Sequence, residues 1–172
     1  GILLAEDGMK LSKKLRNYTE PTEIFESQGS DALRWYFMSS SIVRGGDSRI
    51  SDQAIDDVIR QVINPIWNAY SFFTLYANID NYRAIWDTDQ SNVLDRYILA
   101  KTSDLITRVT DSMERYDLPG ATAEIRKFID ALNNWYIRRS RDRFWSPAKP
   151  SDDVDKQAAY DTLFTVLETL CR

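Results

Sequence analysis

Apolar residues recur at helical spacing along most of the chain. From residue 51 onward, the apolar positions 55, 58, 59, 62, 63, 66, 67 and 70 follow a period of 3.6 residues, as one buried face of a helix requires. Further stripes cover residues 94–116, where the last members are Met113 and Tyr116, then residues 125–136 and residues 160–170. Short connections separate these segments. The pattern predicts long antiparallel helices in a helical bundle.

Local signals predict where these helices begin and where one is disturbed. Ser51 and Ser151 are suitable N-caps for the first and the last long helix. Pro65 lacks the amide hydrogen that a helix interior needs, so we expect a kink near residues 61–65. Aromatic residues follow on the same helix, and the amphipathic pattern favours core packing over a base-stacking surface for them. They are Trp67, Tyr70, Phe72 and Phe73.

The first fifty residues follow a different pattern. Residues 2–5 predict a short strand that runs into a turn at Asp7-Gly8, and short helices are expected to start near Pro21 and Asp31. We therefore predict a mainly α protein with two parts. Residues 1–50 form a short α/β segment and a connection, and residues 51–172 form the helical domain.

Composition and charge limit the function. Apolar residues make up 43% of the chain, which supports a packed core, and no run of about 20 apolar residues could span a bilayer. We expect no membrane contact and a cytoplasmic location. One cysteine and no histidine exclude an internal disulfide and a Cys/His zinc site. A carboxylate metal site stays open, but no residue pattern points to one, so no metal site is expected. Cys171 is predicted to be a small buried residue.

The formal net charge of −4 disfavours a nucleic-acid binder that depends on overall positive potential. Two groups of basic residues lie at residues 10–16 and 138–143. For nucleic-acid binding, the charge of these local groups is more informative than the net charge of the chain. In the first group, Lys10-Leu11-Ser12-Lys13-Lys14 places three ammonium groups within five residues, where they could clamp a polyphosphate. From composition alone, a solvated surface loop is the simpler explanation.

The surroundings of these lysines resemble a known motif. Residues 7–14, followed by Asn17 and Pro21 and then by residues 29–34, are similar in order and spacing to the KMSKS region of class I aminoacyl-tRNA synthetases. Two positions differ, because Leu11 stands in place of a methionine and Lys14 in place of the final serine. Residues 32–36, 44–47 and 67–73 are similar to the isoleucine-type members of the family.

The resemblance implies a role for the lysine loop. In this family the loop closes over ATP, and its lysines stabilise the departing pyrophosphate. Carried over by position, Lys10 and Lys13 would be catalytic. The ATP phosphates, with Mg²⁺ in the full-length enzyme, would be contacted by Lys10, Ser12, Lys13 and Lys14.

The second basic group, within the similar segment 133–141 and just beyond it, is expected to face tRNA. The candidates are Arg138, Arg141, Arg143 and Trp135. Helical steps from the inner stripe also reach Arg139 and Arg143, so those two side chains lie near the core face and need partners there. For Arg139, an internal ion pair or a stack on an aromatic ring is an open alternative.

The resemblance thus implies a monomeric enzyme that activates isoleucine with ATP and transfers it to tRNA(Ile), of which this chain would be a fragment. The chain has no histidine and so cannot hold a HIGH-like motif, and we expect it to be inactive and to bind no ATP tightly when isolated. Two alternatives remain open. One is a valyl or leucyl enzyme, and the other is a helical interaction module that binds no RNA.

Overall fold

The computed structural model describes all residues, 1–172, and the chain is mainly α-helical, which confirms the predicted fold class. Two short strands, β1 (Leu3–Leu4) and β2 (Ser48–Arg49), pair in parallel, with Leu3 opposite Ser48. The helices are α1 (Pro21–Ser27), α2 (Ser30–Ser39), α3 (Asp52–Val58), α4 (Asn64–Ile79), α5 (Val93–Glu114), α6 (Leu118–Asp130), α7 (Arg138–Trp145) and α8 (Val154–Cys171). Short 3₁₀ segments lie at Ser41–Arg44 and Pro150–Asp152.

Two of the long helical stretches contain π-helical turns. α3 continues through Ile59–Ile63 into α4, and α6 continues through Ala131–Ile137 into α7. In a regular helix, the ring of Pro65 would clash with the carbonyl of residue 61. Residue 61 lies within the first π-helical turn, Ile59–Ile63. The predicted disturbance therefore takes the form of a wider turn. No helix combines the length and the apolar character that crossing a membrane requires.

The caps of the long helices follow the sequence only in part. Ser51 caps α3, since its hydroxyl accepts a hydrogen bond from the amide of Ala54 at 3.2 Å. The cap predicted for α8 is wrong. Asp153 accepts the bond from the amide of Lys156 at 3.1 Å, because Ser151 lies within the preceding 3₁₀ segment.

The chain forms two compact units. The first contains residues 1–64 and 108–126, and the second contains residues 65–107 and 127–172. In the first unit, α1, α2 and α3 bury one apolar cluster: Ile24, Ala32, Leu33, Tyr36 and Ile55. The hydroxyl of Tyr36 also bonds to Ser48 Oγ at 2.9 Å, which ties α2 to β2. The predicted boundary after residue 50 stays a prediction.

The second unit is built around α8. Phe144 of α7 contacts the rings of Phe72 and Tyr160, with centroid distances of 5.0 and 5.1 Å. Beside this aromatic cluster, Lys156 is only 2% exposed. Its ammonium group bonds to the carboxylate of Asp80 at 2.6 Å and to two main-chain carbonyls, so its charge is compensated despite burial.

Buried polar groups on α8 also fix the irregular segment 80–92. The carboxylate of Asp161 accepts hydrogen bonds from the Tyr82 hydroxyl at 3.1 Å and from the Ile85 amide at 2.9 Å. Four residues on, the hydroxyl of Thr165 accepts from the amide of Asp87 at 2.9 Å. This stretch without regular structure therefore has a defined path along α8.

Several residues expected in the core are exposed. Trp67 is 64% exposed and Tyr70 is also exposed, whereas Phe72 and Phe73 pack as predicted. α4 has apolar residues on more than one face, and the small residue Ala69 faces inward instead. Tyr116 is 89% exposed because α5 ends at Glu114 and the chain turns there. Cys171, predicted to be buried, is exposed in the last turn of α8.

Candidate functional site

The lysine loop follows a tight turn at the end of β1. The amide of Ala5 donates to the carbonyl of Met9 at 2.8 Å, and the amide of Gly8 donates to the carbonyl of Ala5 at 2.9 Å. Gly8 has a φ of 80°, a left-handed conformation that glycine adopts without steric cost. The turn places Lys10 beside Leu4, with which it forms an isolated antiparallel bridge. The start of the loop is thus anchored to the small sheet.

The backbone of the loop is closed by local hydrogen bonds. The amide of Arg16 donates to the carbonyl of Ser12 at 2.9 Å, and Arg16 itself is left-handed with a φ of 49°. The side chain of Asn17 accepts from the amide of Ser12 at 2.9 Å and donates to the carbonyl of Lys10 at 3.2 Å. The side chain of Asn17 therefore links the backbone of Lys10 to the backbone of Ser12.

The charged groups of the loop point to solvent. Lys10, Lys13 and Lys14 are exposed, and none of them forms an ion pair. Ser12 is partly buried, and its hydroxyl accepts a long bond of 3.4 Å from the amide of Leu15. A held backbone that presents uncompensated ammonium groups can bind the oxygens of a polyphosphate.

A second candidate surface lies on α7 in the other unit. Arg138 and Arg141 are exposed, and the guanidinium of Arg141 lies 6.0 Å from the ring of Trp145. The indole nitrogen of Trp145 donates to the hydroxyl of Tyr76 at 2.7 Å, which fixes the ring on α4. Exposed arginines beside a fixed aromatic ring suit phosphates and unpaired bases.

Trp135 forms a stack with Arg139, and two residues that sequence reasoning did not single out, Tyr97 and Lys101, lie beside it. The guanidinium of Arg139 lies 3.7 Å above its ring, which places Arg139 in an aromatic stack rather than an ion pair. The ring of Tyr97 lies 6.1 Å from Trp135, and the ammonium of Lys101 lies 5.9 Å from Tyr97. The sequence could have indicated this contact, because Tyr97 and Lys101 are four residues apart and so lie on one face of a helix.

Arg143, predicted to face tRNA, is held inside the second unit. Its guanidinium bonds to both carboxylate oxygens of Asp95 at 2.7 Å and to Asp155 at 2.8 Å, and its side chain is 11% exposed. Burial alone would lower its pKa, but the hydrogen bonds and charge of Asp95 raise it overall. The hydroxyl of Tyr136 completes the site by donating to Asp95 at 2.7 Å. This arginine joins helices and leaves Arg138 and Arg141 as the accessible pair.

Two family models match the chain. The model of tRNA synthetases class I (I, L, M and V) matches residues 1–51, and the model of the anticodon-binding domain of tRNA ligase matches residues 95–172. The first match contains the lysine loop. The second contains α7 with its exposed arginines, so each candidate site falls within a matched region.

Curated relatives match along the whole chain. An isoleucine–tRNA ligase of Tropheryma whipplei (strain Twist) is 49% identical over 175 residues, covering 100% of this chain and 16% of the relative. The isoleucine–tRNA ligase of Mycobacterium tuberculosis (strain H37Rv) is 51% identical over 172 residues, with the same coverage of 100% and 16%. That of Leifsonia xyli is 48% identical and is covered to 15%. The chain thus spans about a sixth of the length of these relatives.

Solved structures share the fold. A LeuRS–tRNA–LeuAMS ternary complex from Agrobacterium radiobacter K84 aligns with a TM-score of 0.67 and 20% identity, over 99% of this chain and 20% of that chain. Methionyl-tRNA synthetase of Mycobacterium tuberculosis with methionyl-adenylate aligns with a TM-score of 0.72 and 20% identity, over 98% of this chain and 32% of that one. This likeness shows the fold, while the sequence matches show that the chain belongs to the class I tRNA synthetase family, with isoleucine–tRNA ligases as its relatives.

Proposed function

We propose that the chain is part of an isoleucine–tRNA ligase, in which it supplies an ATP-binding loop and a surface for tRNA. The observation that carries the proposal is the lysine loop, where three exposed ammonium groups without ion pairs lie on a backbone held by hydrogen bonds. Identity near 50% to isoleucine–tRNA ligases along the whole chain supports isoleucine over valine or leucine as the amino acid.

In the proposed reaction, the carboxylate of isoleucine attacks the α-phosphorus of ATP, and pyrophosphate leaves. Lys10 and Lys13 stabilise the negative charge that builds up on the leaving pyrophosphate, while Ser12 and Lys14 contact the phosphates of bound ATP. Mg²⁺ accompanies the nucleotide. The chain's own contribution to phosphate binding is the ammonium groups of the loop together with Ser12.

The proposed tRNA surface is the exposed side of α7 and its neighbours. Arg138 and Arg141 neutralise backbone phosphates, and Trp135, stacked against Arg139, offers a ring face to an unpaired base. The match to an anticodon-binding domain over residues 95–172 supports tRNA as the ligand. Local positive charge on α7 offsets the negative net charge of −4 for such a contact.

ATP–pyrophosphate exchange by the full-length enzyme tests the first half of the proposal. Exchange should depend on isoleucine and be far weaker with valine or leucine. Lys13→Ala should lower kcat by about 100-fold, because a charge that stabilises the transition state is lost. Lys149→Ala, which removes an exposed lysine outside the loop, is the matched control. Equal effects of the two substitutions would refute the loop assignment, and exchange by the isolated chain would refute its predicted inactivity.

Binding of tRNA(Ile) at several salt concentrations tests the second half. Arg138→Glu combined with Arg141→Glu should weaken binding and reduce the slope of log K against log salt by about 2, one phosphate contact for each arginine. Arg34→Glu combined with Arg60→Glu changes the total charge by the same amount at two exposed arginines outside α7, and is the matched control. Unchanged binding by the α7 variant would refute the assignment of tRNA contacts to Arg138 and Arg141, and absence of any salt-sensitive binding would favour a helical module that contacts no RNA.

A further inference from the structure

We propose that Asn17 is a positioning residue that holds the lysine loop in the geometry for phosphate binding. The inference rests on the proposed role of the loop. The oxygen of the Asn17 side chain accepts from the amide of Ser12 at 2.9 Å, and its nitrogen donates to the carbonyl of Lys10 at 3.2 Å. Asn17 therefore contacts the backbone on both sides of Leu11, directly before Lys13, without taking part in the charge of the site.

The chain reaches this arrangement through a left-handed turn. The amide of Arg16 bonds to the carbonyl of Ser12, and the φ of 49° at Arg16 reverses the chain so that Asn17 faces the start of the loop. A non-glycine residue in this region of φ/ψ space carries a conformational cost. The hydrogen bonds of Asn17 offset that cost, so the turn and the bridge support each other.

The two bonds require both a donor and an acceptor at this distance from the backbone. Aspartate has the shape of asparagine, but it can only accept when ionised, so it keeps the bond from Ser12 and loses the bond to the Lys10 carbonyl. It also brings a negative charge beside the lysines. Alanine loses both bonds. We therefore expect the loop to be best ordered and the enzyme most active with asparagine at this position, and both substitutions to lower order and activity.

The experiment uses the full-length enzyme with Asn17→Ala and Asn17→Asp. Thr19→Val is the matched control, because it removes one side-chain hydrogen bond, from Thr19 to Asp52 at 3.1 Å, without contacting the loop backbone. We expect kcat for ATP–pyrophosphate exchange to fall by about 10- to 100-fold in both Asn17 variants, since small misplacement of a catalytic group has effects of that order. KM for isoleucine should stay within about 2-fold, and Thr19→Val should match the parent.

Amide hydrogen exchange supplies a readout that does not depend on activity. In the unliganded enzyme, the peptide that covers residues 10–17 should exchange faster in Asn17→Ala than in the parent or in Thr19→Val, because the Ser12 amide has lost its acceptor. Unchanged exchange and unchanged kcat would overturn the inference. A fall in kcat with no change in hydrogen exchange would also overturn it, since the residue would then act without holding the backbone.

Failure of the proposed function would look different. In that case the parent enzyme would show no isoleucine-dependent exchange of pyrophosphate, or Lys13→Ala would leave it unchanged. If the parent is active and Lys13→Ala is impaired while Asn17→Ala is normal, only the positioning role fails.

Discussion

Replacing Arg143 by methionine would leave a buried carboxylate without its charged partner. Asp95 has no exposed surface and accepts three hydrogen bonds of 2.7 Å, two of them from Arg143 and one from Tyr136. Methionine fills much of the space but returns neither the donors nor the charge. Breaking a buried ion pair from one side costs about 3–5 kcal/mol of folding free energy. With a urea m-value of about 2 kcal/mol/M, the unfolding midpoint of the second unit should fall by about 2 M.

Urea unfolding followed by tryptophan fluorescence measures this change, because four of the five tryptophans lie in the second unit. Arg141→Met on the same helix removes an exposed guanidinium and should alter stability by less than about 0.5 kcal/mol. Asp95→Asn combined with Arg143→Met should recover about half of the loss, since no uncompensated charge then remains buried. Equal midpoints for Arg143→Met and Arg141→Met would refute the structural role of Arg143.

Three further changes test other parts of the structure. Burial raises the pKa of Asp161, so the contribution of this carboxyl group to stability is complete below the unfolded pKa of 3.8 and is lost as pH rises through the folded pKa. The free energy of unfolding of Asp161→Asn should therefore increase relative to that of the parent as pH rises from acid to neutral. Parallel curves of unfolding free energy against pH would contradict this. Arg16→Gly should stabilise the protein by up to about 1 kcal/mol and raise its melting temperature slightly, because glycine tolerates the left-handed φ. A clear fall in the melting temperature measured by circular dichroism would contradict this. Asp153→Ala should cost about 1 kcal/mol in urea unfolding through loss of the α8 cap, whereas Ser151→Ala should cost less than half of that.

The helical fold was predictable because its signals are local. A period of 3.6 residues and the Ser51 cap depend on a few neighbouring residues, and the structure confirms both. Pro65 predicted a kink near residues 61–65, and the structure has a π-helical turn at Ile59–Ile63. The choice of buried face was harder. Trp67 and Tyr70 lie on a helix with apolar residues on several faces, so periodicity alone could not say that Ala69 faces inward.

The candidate site was predictable in its charges and not in its supporting contacts. Exposed lysines and arginines follow from residue type, and the resemblance to a family indicated which of them to consider. The partners of Arg143 lie 48 residues earlier, at Asp95, and 12 residues later, at Asp155, and no local pattern joins them. Pairings of that sequence separation depend on tertiary packing and require the folded structure.

The burial of Lys156 gives the second unit a built-in reporter of its own unfolding. Amine-reactive reagents modify solvent-accessible ammonium groups, so Lys10, Lys13 and Lys14 should react at once in the native protein. Lys156, enclosed by Asp80 and two carbonyl oxygens, can react only after α8 separates from the rest of its unit. The labelling rate at this one lysine, read by mass spectrometry, therefore measures how often the unit opens under native conditions.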